Sequence, residues 1–515
     1  MQKPDPVTKL TPAEKQFVEW LNANSNRDAV LASLKADLQT AIEIELATIP
    51  IYLFTYYSIV RNNTTGEELG PLEVYANRAG GVIMSVAVEE MLHMSLSSNV
   101  LFSMGVAPQL YGKAPTSYPT GLPYHNPVGP KGPDGQTAVL IPLAKLGFGQ
   151  LWHFLQIEYP EQWNAPPQDR NWQTIGQFYS YIRCLISTKF ITDADFQHGA
   201  AASAIQPYNY SPNNTDTVFP TGKFDPWKPA PPGPMPAWAT KDHYPSGSQA
   251  TIYADAPDSH AGPAELVTVS SRLDAAYAID TICDQGEGYP VPDVGPGPYD
   301  DPSKKEDSHY VKFVTLQAQF ADYAHTSETL PAQPPPPPPQ TPTVTLDQLM
   351  KAQLVIDFPD NPTAAGYAAD YRPIADFCSA CFQYMLIMCE TIYRVPPNQQ
   401  KLFFNEGLHR SMIWVLDKYI RTIRDLPLNL VEPISPQQFM APVFENIDLG
   451  PRATSFKKLT ELGAGAIAAA NKVPKTDPRY GTMQNVIYYV CVATPQPNSP
   501  YTGGILPDVG PYWAS

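Results

Sequence analysis

The sequence predicts an all-α protein built from several long amphipathic helices. Apolar residues recur at helical spacings of three, four and seven over long segments, whereas the strict alternation of a β-strand is sparse. The segment Thr11-Pro12-Ala13-Glu14 has the form of a capping box, with proline at the first helical position. Apolar residues make up 43% of the 515-residue chain and charged residues 16%. Such a chain is globular and long enough for two or more packed units.

The composition also disfavours several classes of partner. The net charge is −16, so nucleic acid and an anionic membrane surface would both be repelled. No apolar run approaches the roughly 18 residues that a membrane-spanning helix needs. The N-terminal segment lacks the apolar stretch of a signal peptide, and we therefore expect a cytoplasmic protein. The six cysteines are too few for a disulfide scaffold and are expected to be reduced and buried.

Helical periodicity divides the chain into a series of segments. A short helix is predicted from the capping box to about residue 24, and a long helix follows over about 27–61, with Pro50 removing one of its backbone hydrogen bonds. Residues 206–262 are rich in Pro, Ser, Asn, Asp and Gly, which predicts a loop insertion without a core of its own. Further helices are predicted at about 72–104, 143–164, 172–193, 264–287, 308–327, 345–356, 370–394, 398–425 and 452–471.

The proline run Pro334–Pro339 predicts a stiff polyproline II spacer and is the best candidate for a domain boundary. We therefore expect a helical bundle over 1–330 that carries the insertion, a linker over 331–344, and a C-terminal helical region with an irregular tail over 345–515. The chain has 58 prolines, about twice the usual share, which is consistent with long Pro/Gly-rich loops between the helices.

The strongest chemical signal is the pair Glu90 and His93 in the second long helix. A spacing of three places both side chains on one helical face, where a carboxylate oxygen and an imidazole nitrogen can reach the same metal ion. Their neighbours on that face are apolar, so an ionised glutamate there is costly unless it is paired or bound to metal. Glutamate-rich helices also produce this spacing by chance, and the alternative is a half-exposed glutamate beside a satisfied histidine.

Other helices supply companion carboxylates. Glu45 continues the apolar stripe of the first long helix, whereas Glu43 lies nearer polar residues, so Glu45 is the better ligand candidate. Glu158 follows the apolar side of the third long helix, whereas Glu161 comes after a proline at the expected helix end. These positions favour Glu45 and Glu158 as the partners of the Glu90–His93 pair.

The fourth contribution departs from the simple pattern. Glu287 closes one predicted helix and His309 opens the next, so a Glu-x-x-His motif would be interrupted by an inserted loop. Asp284 remains a possible substitute for Glu287. One glutamate from each of two helices, together with a glutamate and a histidine from each of two others, matches the ligand set of a dinuclear carboxylate site.

Four segments together resemble the ferritin-like domain family named after iminophenyl-pyruvate dimer synthase. They are IELATIPIYL, VEEMLHMSLSSNVLFSMG, FLQIEYPE, and DQGEG followed by SHYVKF, and the resemblance covers roughly residues 27–330 apart from the insertion. That family is associated with tryptophan-derived pigment pathways such as violacein. The resemblance implies a ferritin-like helical bundle and a metal site with the ligands Glu45, Glu90, His93, Glu158, Glu287 and His309. Asp284, Glu43, Glu89 and Glu161 remain alternatives to a member of this set.

An oxygen and imidazole ligand set suits iron or manganese better than copper(I) or an iron–sulfur cluster. Two iron ions in such a site could bind and reduce dioxygen between them. The first functional hypothesis is therefore a non-haem di-iron oxidase or oxygenase that uses dioxygen on a small organic, for example amino-acid-derived, substrate in specialised metabolism. The alternatives are an iron-binding or storage protein without organic catalysis, which the large insertions disfavour, and a degenerate scaffold that no longer binds metal.

Overall fold

A computed structural model gives the structure of the protein. It describes residues 10–60, 70–126, 140–161, 164–197, 268–286, 308–320, 344–396, 399–400, 403, 408, 417–428, 438–472 and 506–514. The predicted insertion at 206–262, the proline run and Glu287 all lie outside these residues. The described part of the chain divides into two compact units. The first takes in the described residues within 1–108, 119–212 and 252–355, and the second those within 109–118 and 356–515.

The first unit is helical, as the periodicity predicts. Its helices in the described residues are α1 (Pro12–Asn24), α2 (Arg27–Tyr57), α3 (Pro71–Ser103), α4 (Phe148–Ile157), α5 (Ile175–Ser187), α6 (Arg272–Gly286), α7 (His309–Gln317) and α8 (Leu346–Lys351). Over the same residues, β-structure is limited to isolated bridging pairs. None of the helices in the described ranges is long and apolar enough to cross a membrane.

The first two helices begin with side-chain caps. The backbone N–H of Glu14 donates to Oγ1 of Thr11 at 3.2 Å, and the backbone N–H of Thr11 donates to Oε2 of Glu14 at 2.7 Å. This reciprocal pair is the predicted capping box. At the start of α2, Oδ1 of Asn26 accepts a hydrogen bond from the backbone N–H of Ala29 at 2.9 Å. Pro50 lies inside α2, and the helix continues past it to Tyr57.

Helix α4 is shorter than predicted, and the expected bounds of 143–164 are wrong at both ends. The helix begins after Gly147 and ends at Ile157, with Glu158 as its C-terminal capping residue. Pro160 accounts for the early end, since it lacks an N–H and forces the preceding residue out of the helical conformation. Glu158 therefore stands at a helix terminus and not in the middle of a helix.

The long helices pack side by side around an apolar core. Helix α2 packs most extensively against α3, α6 packs against α3 and α5, and α7 packs against α4. Most residues of α2 between Leu34 and Tyr57 are buried. Side chains from α2, α3, α4, α6 and α7 therefore meet in the interior of the first unit.

A buried ion-pair network ties α1 to α5 and α6. Glu14 is fully buried and accepts hydrogen bonds from Oγ of Ser180 at 2.6 Å and from two nitrogens of Arg183, one of them Nε at 3.1 Å. The same guanidinium donates through Nη1 to Oδ1 of Asp280 at 3.0 Å. Arg183 thus neutralises carboxylates from two other helices inside the unit.

The second unit has its own helices and its own buried carboxylate. Its described helices are α9 (Arg372–Thr391), α10 (Asp417–Ile423) and α11 (Ser455–Ala470), of which α9 and α11 pack together. Glu390 on α9 accepts hydrogen bonds from the backbone N–H groups of Leu110 and Tyr111, at 2.7 and 3.0 Å, and from the guanidinium of Arg452. This carboxylate attaches residues 109–118 to the C-terminal helices.

We predict that Arg183→Met lowers the free energy of unfolding by about 3–5 kcal/mol, because the change leaves Glu14 buried without its cation. Urea denaturation followed by far-UV circular dichroism measures the change. Lys351→Met is the matched control, since Lys351 pairs with Asp347 on the surface and should contribute less than about 1 kcal/mol. Adding Glu14→Gln to the Arg183 variant should recover part of the loss. Equal stability of Arg183→Met and wild type would contradict this account of the network.

A second prediction concerns Asp37 on α2. Burial raises the pKa of Asp37 to about 7, and repulsion from Asp169 adds to the effect. The folded protein therefore keeps a proton that the unfolded chain loses above about pH 4, so this group lowers stability as pH rises from about 4 to 7. Asp37→Asn should become more stable than wild type over that window, by about 1.4 kcal/mol for each unit of pKa difference. Denaturation curves measured between pH 4 and 8 that stay parallel for the two proteins would rule this out.

Candidate metal centre

Five of the six predicted ligands come together in the interior of the first unit. Glu45 lies in the middle of α2, Glu90 and His93 lie on α3, Glu158 caps the end of α4, and His309 is the first residue of α7. Each of these five residues is at most 4% exposed. Glu287 lies outside the described residues, as does the side chain of Asp284.

The five residues form two overlapping groups. One oxygen or nitrogen atom from each of Glu45, Glu90 and His93 lies within 4.8 Å of the others, and the same holds for Glu90, Glu158 and His309. Glu90 belongs to both groups, so its two oxygens can serve two neighbouring positions. This is the geometry of two adjacent cation sites that share one carboxylate.

His309 presents a nitrogen to two carboxylates. Its Nδ1 lies 3.0 Å from Oε1 of Glu90 and 3.3 Å from Oε2 of Glu158. Neither contact has hydrogen-bond geometry, and no other described residue offers a partner to this nitrogen. A buried polar atom without a hydrogen bond is costly. A cation held between Nδ1 and the two carboxylates would satisfy all three groups.

His93 approaches the cluster in a similar way. Its Nε2 lies 3.1 Å from Oε1 of Gln285 at the end of α6. Because an amide oxygen only accepts, Nε2 carries the proton and Nδ1 keeps its lone pair. That Nδ1 lies 4.0 Å from Oε2 of Glu90. The rings of His93 and His309 are nearly parallel, with centroids 5.6 Å apart, so each histidine serves one of the two groups.

Hydrogen-bond donors orient the carboxylates. The hydroxyl of Tyr179 donates to Oε1 of Glu45, and the hydroxyl of Tyr52 donates to Oε1 of Glu158. Oγ1 of Thr48 donates to Oε2 of Glu90 at 3.1 Å. Each donor holds one oxygen of its carboxylate, which limits the rotation of that carboxylate within the cluster.

Burial and mutual repulsion decide where protons lie in this cluster. Burial raises the pKa of Glu45 well above its usual value, and the charge of Glu90 raises it further. Burial also raises the pKa of Glu158. For Glu90, burial acts in the same direction, but a hydrogen bond with Glu45 and the nearby charge of His309 outweigh it and lower the pKa to about 2. Without a cation, some of the carboxyls therefore keep protons, which a metal ion would replace.

The pKa values of the two histidines are shifted in opposite directions. Burial disfavours the charged ring and lowers the pKa of His93 to about 4, which leaves it neutral and able to act as a ligand. Burial has the same effect on His309, but the carboxylates around it, led by Glu158, outweigh it and raise its pKa well above the usual value. A proton on His309 thus compensates the negative charge of the cluster when no metal does.

The alternative glutamates occupy other positions. Glu89 lies at Nε2 of His309, 2.6 Å away, and therefore on the opposite side of the ring from Glu90 and Glu158. Glu43 is half-buried and accepts a hydrogen bond from Gln39. Glu161 is buried, and the charges that act on it most are those of Glu14 and Arg183. The metal-binding groups found in the described residues therefore contain none of these three.

Sequence reasoning missed several residues that complete the cluster, among them Tyr179, Gln285 and Lys312. Tyr179 and Gln285 come from helices that carry no predicted ligand in the described residues. Lys312 follows His309 by three residues, so the same helical-spacing argument that paired Glu90 with His93 could have found it. A lysine at this spacing was not informative alone, because most lysines are exposed.

A small cavity of about 20 Å³ adjoins the cluster, with room for about one water molecule. Its lining includes Glu45, Glu90, His93 and Glu158 from the cluster, together with Ile282 and Cys283 from the end of α6.

The described helices enclose a carboxylate–histidine cluster that could hold metal ions, and sequence comparison agrees with a ferritin-like helical bundle. Residues 38–225 match the family described as Ferritin-like. The chain is also similar to the crystal structure of a ferritin-like protein from Caulobacter vibrioides, at 19% identity and a TM-score of 0.38, over 74% of this chain and 94% of that one. No curated protein matches the sequence significantly. The predicted fold class, an all-α ferritin-like bundle, is confirmed.

We predict that ferrous iron stabilises the protein through this cluster. Under anaerobic conditions, Fe²⁺ at about 100 times its Kd should raise the free energy of unfolding by about 2.7 kcal/mol for each occupied site. His93→Ala should remove most of the increase and leave the helical content unchanged, because wide apolar faces hold the helices together. The measurement is thermal unfolding with and without the metal, followed by far-UV circular dichroism.

His125→Ala is the control for that experiment, since His125 stacks on Trp172 and belongs to neither metal-binding group. It should keep the full increase on addition of Fe²⁺, whatever its effect on the metal-free protein. An increase that survives in His93→Ala and disappears in His125→Ala would place the metal elsewhere.

Proposed function

We propose that this protein is a di-iron protein that acts as a non-haem oxidase or oxygenase, with dioxygen and a small organic molecule as its substrates. The observation that carries the proposal is the sharing of Glu90 between two buried carboxylate–histidine groups. When bound, two iron ions would supply the capacity to bind and reduce dioxygen. Oxygen and imidazole donors also suit manganese, which is the alternative metal.

The residues take distinct roles in this proposal. His93 and His309 would be the nitrogen ligands, each through Nδ1, and Glu90 the carboxylate shared by the two positions. Glu45 would complete the group of His93, and Glu158 the group of His309. Glu287 remains a ligand candidate on sequence grounds alone.

The protein's own groups would manage protons on metal binding. Burial raises the pKa of Glu45 and of Glu158, so these carboxyls hold protons that a cation displaces. Metal affinity should therefore rise with pH. After these protons leave, the hydroxyls of Tyr52 and Tyr179 would still donate to Glu158 and Glu45 and hold both carboxylates in place. The surrounding apolar side chains exclude bulk water, which protects a reactive centre from side reactions.

Two observations bear on the substrate. The motifs that resemble the iminophenyl-pyruvate dimer synthase type support an amino-acid-derived substrate in specialised metabolism. The cavity beside the cluster in the described residues has room for about one water molecule, whereas pockets for drug-sized organic ligands measure about 300–1,000 Å³. It therefore favours a second candidate function, the binding and oxidation of iron without an organic substrate.

The test begins with anaerobic reconstitution of the purified protein with Fe²⁺, removal of excess metal and elemental analysis. We expect close to two iron ions per chain in wild type and far fewer in Glu90→Gln, which removes the shared carboxylate while keeping its shape. His125→Ala should retain wild-type iron content. The absence of bound iron in the reconstituted wild-type protein would contradict the proposal.

The reconstituted protein then separates the two candidate functions. Oxygen-electrode measurements are made with a reductant, with and without a panel of tryptophan-derived compounds. An oxidase or oxygenase should consume dioxygen over many turnovers only with its organic substrate. An iron-binding protein should show one phase of uptake, limited by the bound iron, whichever compound is added.

A further inference from the structure

The ring of His309 is held between two consecutive glutamates of α3. Oε2 of Glu89 lies 2.6 Å from Nε2, and Oε1 of Glu90 lies 3.0 Å from Nδ1. The two ring nitrogens point in different directions, so the glutamates approach opposite sides of the imidazole. Glu90 belongs to the metal-binding groups and Glu89 does not. The doublet Glu89-Glu90 thus gives one carboxylate to the metal side of the ring and one to the far side.

Lys312 holds the carboxylate on the far side. It lies one helical turn after His309 on α7, and its Nζ donates to both oxygens of Glu89, at 3.0 and 2.9 Å. Lys312 is only 7% exposed and Glu89 only 1%. An ammonium group has donors and no acceptor. Both oxygens of Glu89 are therefore engaged by a cationic donor inside the protein.

This arrangement has two consequences for His309. With donors from Lys312 on both of its oxygens, Glu89 acts as an acceptor toward the ring, so in the neutral ring that a metal would bind, the proton lies on Nε2 and the lone pair on Nδ1. The same contacts stop the carboxylate from rotating, and the positive charge of Lys312 offsets its negative charge. Glu89 therefore stays on the far side of the ring and does not join the ligand carboxylates.

We propose that Lys312 is a positioning residue of the metal centre, which holds Glu89 as the acceptor for Nε2 of His309 and so keeps Nδ1 as the metal-binding nitrogen. This inference rests on the proposed function, because it assumes that His309 is a ligand. Lys312 itself touches neither metal nor substrate in this assignment. Its effect on the metal passes through Glu89 and then through the imidazole.

The experiment compares Lys312→Met, Lys312→Arg and the surface control Lys351→Met, each as the full chain. Competition with a chelator measures Co²⁺ affinity. Loss of a residue that orients a metal ligand typically weakens affinity about 10–100-fold, and we expect that loss for Lys312→Met. Lys312→Arg should stay within a few-fold of wild type, because a guanidinium can also donate to both oxygens of Glu89. Lys351→Met should match wild type.

A second measurement needs no metal. In protein labelled with ¹⁵N-histidine, the Nε2 proton of His309 should give a slowly exchanging signal, assigned by its absence from His309→Gln. We expect this signal in wild type and in Lys312→Arg, and its loss or fast exchange in Lys312→Met. A hydrogen bond kept rigid by Lys312 predicts this change, whereas a lysine that only fills space does not.

Lys312→Met leaves a buried carboxylate without its cation and could fail to fold, so the double variant Glu89→Gln, Lys312→Met provides a neutral pair. Glutamine can present either its oxygen or its amide group to Nε2, so we expect folded protein with at least tenfold weaker Co²⁺ binding and a faster-exchanging Nε2 proton. Wild-type affinity together with wild-type exchange in this double variant would overturn the inference. Wild-type protein that binds no metal would instead overturn the proposed function, and the metal-free measurement would still decide whether Lys312 holds Glu89 and His309.

Discussion

The central constraint on the first unit is the burial of several carboxylates within a few ångströms of one another. Glu45, Glu90 and Glu158 lie in an interior where isolated negative charge is unfavourable. The structure compensates that charge with protons on some carboxyls, with the ring of His309 and with hydroxyl donors. A pair of divalent cations would do the same with more charge, and would leave each carboxylate free to ionise. Apolar packing between the long helices holds these carboxylates close together.

The helical frame explains how residues far apart in the chain reach one point. A helix places residues three or four apart on one face, so α3 alone contributes Glu89, Glu90 and His93. α2 adds Glu45 from its middle, whereas α4 and α7 add Glu158 and His309 from their ends. Ligands at helix ends depend on where those helices stop and start. For that reason Pro160, which limits α4, and the cap at Ser308, which starts α7, matter to the site although neither touches it.

Charge in the first unit is organised as paired networks. Arg183 neutralises Glu14 and Asp280, and Lys312 neutralises Glu89. Both cations are buried and both connect separate helices. Glu45 and Glu158 instead face the cluster, and each receives a hydrogen bond from a tyrosine hydroxyl. The carboxylates paired with a lysine or arginine thus stabilise the fold, whereas Glu45 and Glu158 could bind a metal ion.

Local sequence patterns predicted part of this arrangement. The all-α class, many helix positions and the ligand candidates Glu45, Glu90, His93 and Glu158 could be predicted from local patterns, because apolar periodicity shows which face of a helix is buried. His309 was predicted from the interrupted Glu-x-x-His motif and the family resemblance. A polar residue on such a face is conspicuous without knowledge of its partners. The end of α4 was misjudged, since the periodic pattern continues beyond the point where Pro160 stops the helix.

Only the tertiary structure decided which side of His309 each glutamate occupies. Glu89 and Glu90 are adjacent in the chain, and both are buried, so burial alone could not assign one to the metal cluster and the other to Lys312. That assignment depends on the packing of α7 against α3 and α4, which sets the direction of each ring nitrogen. Sequence patterns report the face on which a side chain lies. The partner that it meets there is settled by contacts between residues hundreds of positions apart, which no local pattern contains.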